Sequence, residues 1–105
     1  MGKTYRGRMT VLFETSVTVH EGGQGQATHQ LRTSADARFN WGHGRHDPGN
    51  RLLARALLAD ELGVHPSEDM ILAFADEIVQ RLANSWALDG DDIKDWAVRR
   101  AFVQG

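Results

Sequence analysis

The stretch from Asp47 to Gly63 restricts the fold of this chain more than any other. Asp47-Pro48 reads as a helix start, because proline at the first helical position gives up only an amide that has no intrahelical partner, and the Asp47 carboxylate can cap the free ones. Gly63 reads as the stop. At about 100° per residue, Leu52, Ala56 and Ala59 form one stripe, Leu53 and Leu57 flank it on one side, and Leu58 and Leu62 continue round the other. A helix apolar in so many directions has to be covered from several sides. The polar exceptions are Arg51 and Arg55, one turn apart on the same side, and Asp60 and Glu61 near the end. Acids at a helix carboxyl end oppose the dipole, so a facing partner such as a basic segment is expected.

At 105 residues and 41% hydrophobic, one domain over 1–105 can bury a modest core without staples. The absence of cysteine excludes disulfides, thiolate metal sites and cysteine nucleophiles, and suits a cytoplasmic chain. Met1-Gly2-Lys3-Thr4-Tyr5-Arg6 lacks the apolar run of a signal peptide or membrane span, so a soluble intracellular protein without a membrane partner is expected. Charge is uneven along the chain. Residues 1–58 carry eight Lys/Arg against four Asp/Glu, while residues 59–105 carry four against ten. The folded domain should therefore be bipolar. No lysine-rich tail or basic run marks a dedicated nucleic-acid binder.

From Tyr5 to Val19 the odd positions are mostly apolar (Tyr5, Met9, Val11, Phe13, Val17, Val19) and the even ones mostly polar. This is strand alternation, too long for one strand, so a break near Glu14–Ser16 should make an antiparallel hairpin. Arg6, Arg8 and His20 fall on its polar face, either solvated or as a docking surface for an anionic partner. Glu21-Gly22-Gly23-Gln24-Gly25-Gln26 is a loop that lacks phosphate-loop spacing. Thr28 to Arg32 reads as a returning strand. A second helix from about Ser67 to Ala83 gathers Met70, Ile71, Phe74, Ile78, Val79 and Leu82 on one arc, with Glu77 and Arg81 as an i,i+4 pair on the other. Trp86 and Leu88 point the same way from a short extended segment. Asp89 reads as the cap of a third helix, whose inward stripe is Ile93, Trp96 and Ala97.

Tyr5-Arg6-Gly7-Arg8, Phe39-Asn40-Trp41-Gly42-His43-Gly44 ahead of the Leu52 to Asp60 helix, and the closing Trp86, Leu88, Asp92-Ile93 and Trp96 resemble the bacterial and phage domain-of-unknown-function family 6166. The resemblance implies a compact α+β domain and names no activity. It departs from the family pattern at the loop, where His43 takes an aromatic place and Arg45-His46-Asp47 replaces small residues.

That loop gathers two imidazoles, a guanidinium, a carboxylate and an indole before a helix amino terminus. Four readings stand open. Trp41 can anchor the loop in the core while the polar groups are solvated or cap the helix. Alternatively Trp41, His43, Arg45, His46 and Arg51 can hold an anion such as phosphate. His43, His46 and Asp47 are chemically suited to zinc but lack a further ligand at a recognised spacing. A histidine beside an aspartate can also shuttle protons, but no nucleophile is paired with it.

The fold class expected is α+β: a small antiparallel sheet, an N-terminal hairpin plus short strands, packed on one face by three helices. Strands should cover about 4–20, with short ones near 28–32, 39–41 and 86–88, and helices about 48–62, 67–83 and 90–101. The functional expectation is a nonenzymatic small accessory protein that binds another macromolecule, a protein partner, through Arg6, Arg8, Arg32 and Arg38. Phage or mobile-element origin, as the resemblance suggests, would make it an inhibitor of a bacterial host or defence complex in the host cytoplasm. The alternative is a phosphate or nucleotide-binding or hydrolytic domain using the His43–Arg51 loop. A third reading is nucleic-acid binding through the N-terminal arginines. No catalytic residue and no cofactor is indicated.

Overall fold

Side-chain alternation from Lys3 onward produces a hairpin in which β1 (Lys3–Met9) and β2 (Thr15–Glu21) pair antiparallel, with Tyr5 opposite Val19 and Gly7 opposite Val17. The computed structural model describes residues 3–10, 14–21, 28–31, 39–42 and 48–104. Among these, β3 (Thr28–Gln30) joins the outer side of β2 and β4 (Ser85–Asp89) joins β1, giving an antiparallel sheet in the order β3-β2-β1-β4. The three α-helices among the described residues are α1 (Pro48–Leu62), α2 (Glu68–Glu77) and α3 (Gly90–Gln104). The α+β class read from the sequence is the class observed, with the helices on one face.

The core lies between that face and α1. Tyr5, Val17, Val19 and Trp86 from the strands meet Leu53, Leu57 and Leu58 of α1, Phe74 of α2 and Ile93 of α3. Leu53, Leu57 and Leu58 are fully enclosed, each stabilising the fold by about 1.5–3 kcal/mol relative to an exposed side chain. Only Pro48, Arg51 and Arg55 of α1 are exposed, so the helix is covered from several sides. Gly63, at φ 72°, ends it while its amide donates to the Ala59 carbonyl at 2.9 Å.

Several boundaries differ from the sequence reading. The first strand ends at Met9 and the second starts at Thr15, so the hairpin break comes earlier than Glu14–Ser16, and the Thr10 amide donates to the Glu14 carbonyl at 2.9 Å. Val11 and Phe13 lie outside the described residues. Phe39–Trp41 forms no strand, because its backbone is satisfied by side chains: Thr15 Oγ1 donates to the Phe39 carbonyl at 2.7 Å and the Trp41 amide to Asn40 Oδ1 at 2.9 Å. Both aromatics still reach the core. The second helix starts where Ser67 caps it, its hydroxyl accepting from the Met70 amide at 3.2 Å, but it ends at Glu77 instead of Ala83. Past that point Val79–Arg81 tightens into a 3-10 turn, with the Val79 carbonyl taken both by the Leu82 amide and, across the fold, by the Gly42 amide at 3.2 Å. Arg81 is thereby removed from the helix face of Glu77, and the expected pair between them is replaced. Glu77 instead accepts from Arg100 Nη1 at 2.9 Å and Trp96 Nε1 at 3.1 Å.

Candidate functional site

Successive residues of β1 point to opposite faces of the sheet, so Tyr5-Arg6-Gly7-Arg8 divides into two pairs with different surroundings. Tyr5 and Gly7 face the helices. Arg6 and Arg8 face away from them.

On the inner side Tyr5 is fully buried, and its hydroxyl donates to Asp60 Oδ2 at 2.7 Å while lying 3.1 Å from Glu61 Oε1. Lys3 Nζ reaches Asp60 Oδ2 at 3.2 Å and the Asp60 carbonyl at 3.3 Å, and Lys94 Nζ reaches Glu61 Oε2 at 3.2 Å. The two acids at the carboxyl end of α1 thus find the basic partners that the helix dipole demands, one from β1 and one from α3. Glu61 keeps only 4% of its side chain exposed. Its Oε1 lies so close to Gly90, the first residue of α3, that a Cβ there would collide with it. Burial, then the hydrogen bond and negative charge of Asp60 and Glu61, push the Tyr5 hydroxyl well above its ordinary value of 10.0. A neutral, enclosed phenol between paired carboxylates ties β1, α1 and α3 together. It offers a substrate no access.

Gly7 has a packing role. A Cβ at that position would overlap the indole of Trp86, its cross-strand partner on β4, so the absent side chain is the space in which the indole lies. Trp86 in turn stands edge-on to Trp41, with ring centroids 5.5 Å apart and an interplanar angle of 88°.

The outer side is a shallow depression to which Gly7 and Trp86 contribute along with the outward-facing Arg6, Arg8, Ser16, Thr18, Ser85 and Ala87. Arg6 lies between Thr18 and Ala87, and Arg8 between Ser16 and Ser85. Both arginines are exposed, and among the described residues neither guanidinium has a hydrogen bond or ion pair. His20 belongs to the same face, half-buried, with Nε2 3.1 Å from Thr18 Oγ1. Asp89 stands at the far corner, where Thr4 Oγ1 donates to it at 3.4 Å.

The other sequence candidates scatter. Arg32, Arg38, His43, Arg45, His46 and Asp47 lie outside the described residues. Trp41 is 1% exposed and belongs to the core. Arg51 is exposed and shares a small dent between α1 and α2 with Arg55, Leu52, Glu68 and Ile71. Among the described residues no group of three or more His, Asp or Glu side chains could hold a metal ion, and no helix is long and apolar enough to cross a membrane. Sequence reasoning did not find the Lys3, Tyr5 and Lys94 cluster; its one signal was the pair of acids at the unfavourable end of α1.

Apart from Lys3, the residues carrying the inner ties and the central helix fall within one continuous family match. The chain belongs to the family of unknown function DUF6166. The match covers residues 5–99, from the buried tyrosine of β1 to the far part of α3. No curated protein and no solved structure matches this DUF6166 member. The fold and its surfaces therefore carry the functional argument.

Proposed function

We propose that this DUF6166 protein is a nonenzymatic accessory protein that acts by binding another macromolecule, and that it does so through the open face of its sheet around Arg6 and Arg8. The observation that carries this reading is the pair of guanidinia on an uncovered face without a partner among the described residues. Polar open faces are ordinary in antiparallel sheets. Two unpaired arginines on an interior strand, surrounded by serine, threonine and alanine, are a concentration of positive charge that a complementary partner can use for steering and register. Each arginine fork suits planar anions such as carboxylate or phosphate.

In its finer form the reading makes the partner a protein of a bacterial host or defence complex and this chain its inhibitor, acting in the host cytoplasm. The support for that step is the bacterial and phage setting implied by the family resemblance. The test is capture from bacterial lysate by the intact chain and by Arg6→Glu with Arg8→Glu. A partner retained by the first and lost by the second, with both proteins melting alike, is the expected result. Equal retention by the two would overturn the reading.

A further inference from the structure

Given that reading of the open face, we infer that its occupant is an extended acidic polypeptide segment with carboxylates at alternate residues, laid along β1 so that successive carboxylates meet Arg6 and Arg8. The spacing comes first. Two residues along a strand rise about 6.6–6.8 Å, and Arg6 and Arg8 are so placed on β1 with their side chains on one face. Alternate residues of another extended chain repeat at the same interval and on one side. A segment of that kind therefore brings two carboxylates into register with two guanidinia, each able to form a bidentate, charge-assisted pair.

The floor of the depression gives the second argument. Ser16 and Thr18 on one side and Ser85 and Ala87 on the other are short, so the arginines stand above a low strip over each neighbouring strand. Such a strip is about one strand wide, or about 4.8 Å. An extended segment settles into it, whereas a helix about 10–12 Å across has to ride above it. The hydroxyls of Ser16 and Ser85 supply donors for the remaining oxygens of the segment.

The third argument separates polypeptide from nucleic acid. Sheets that bind single strands do so by stacking bases on exposed aromatic rings. Here the aromatics of β1 and β4, Tyr5 and Trp86, are turned into the core. Among the described side chains the ring on the open face is the half-buried imidazole of His20, already held at Thr18 Oγ1, so a nucleic acid would rely chiefly on phosphate contacts. Asp89 at the Thr4 end confines the favourable region to the Arg6 and Arg8 half of the face.

The experiment uses the whole chain, labelled for amide chemical-shift titration at low salt, and three probes. The first is a nine-residue Ser/Glu peptide with glutamate at every second position, the second a peptide of identical composition with its glutamates in one block, and the third an oligothymidylate of equal charge. The alternating peptide should move the amides of Arg6, Arg8, Thr18 and Ala87 and bind several-fold tighter than the block peptide. Arg6→Ala and Arg8→Ala should each weaken it by about tenfold, as for loss of one charge-assisted contact. Equal affinity for the two peptides, preference for the oligothymidylate, or shifts mapping away from β1 would each overturn the inference. If lysate capture depends on the arginines while the alternating peptide does not bind, the occupant is wrong and the binding face stands. If capture ignores the arginines, the face itself is wrong.

Discussion

The two sides of β1 handle charge in opposite ways. Inside, Tyr5 lies among Asp60, Glu61, Lys3 and Lys94, and each of the two carboxylates has both a lysine and the phenol within 3.2 Å. Outside, Arg6 and Arg8 stand among small side chains without a partner among the described residues. Desolvation accounts for the contrast. A charge taken from water has to be paired or it destabilises the fold severely, while an exposed guanidinium is stabilised by water and needs no protein partner. The fold therefore depends on the inner set and is indifferent to the outer one. Four consecutive residues thus divide into two that build the domain and two left available for something else.

The contrast is tested most severely at the inner shelf. Trp86→Ala should destabilise the chain by about 3–5 kcal/mol, because the indole fills the space over Gly7 and supports Trp41. Chemical denaturation measures it, and a loss below about 1 kcal/mol would show that the inner face is not a packed core.

Next comes the phenol. Tyr5→Phe removes the donor that, among the described residues, Asp60 and Glu61 share, and should cost about 1.5–3 kcal/mol, the range for hydrogen bonds to charged groups. The pH sign follows from the raised Tyr5 value. The folded chain holds the phenolic proton more tightly than the unfolded chain does, so this stabilisation is complete below pH 10 and is lost as pH rises above it, by about 1.4 kcal/mol per unit. Tyr5 is the only tyrosine, and tyrosinate absorbance therefore reports on it alone. Ionisation should appear together with unfolding. A reversible titration near pH 10 in the folded protein would contradict the buried tie.

How far this contrast can be read from the sequence differs by element. The central helix is legible because its start, stop and all-round apolar pattern are local, and so is the division of Tyr5 to Arg8 between faces, which follows from strand geometry alone. The hairpin turn is not, since no glycine or proline falls between Met9 and Thr15 and the sequence there is largely apolar, with nothing that marks a turn. The end of α2 is hidden for a similar reason: Val79 and Leu82 keep to the apolar arc while the backbone tightens, and the Val79 carbonyl there accepts from Gly42, far away in the chain. Phe39-Asn40-Trp41 alternates like a strand, but a side-chain amide and a threonine hydroxyl take over its backbone pairing. The Tyr5 contacts to Asp60 and Glu61 span 55 and 56 residues, beyond any local pattern. Of the candidate site residues, Arg6 and Arg8 follow from alternation, and Trp41 turns out to serve the core.

Between the extremes lies Glu77, on the surface where α2 meets α3. It binds Arg100 and Trp96 at good distances, but its side chain is 47% exposed and that of Arg100 is 34% exposed. Solvent screening should hold the cost of Glu77→Ala to about 1 kcal/mol or less. A loss comparable to that of Tyr5→Phe would mean that pairing, rather than burial, decides which charges the fold needs.

The smallest effect on stability, and the one that sharpens the contrast most, belongs to Arg6→Glu with Arg8→Glu. Neither side chain is buried and neither has a partner to lose among the described residues, so the double variant should unfold within about 0.5 kcal/mol of the parent. The melting curve, not the binding curve, is the decisive measurement here. If the variant loses more than about 1.5 kcal/mol, a loss beyond the usual range for surface substitutions, the arginines have a structural task and the outer face no longer differs in kind from the inner one. If it melts like the parent while losing its partner, the two functions of the strand are physically separate. In that case the positive charge can be altered to change what the protein binds without altering the core that holds it in place.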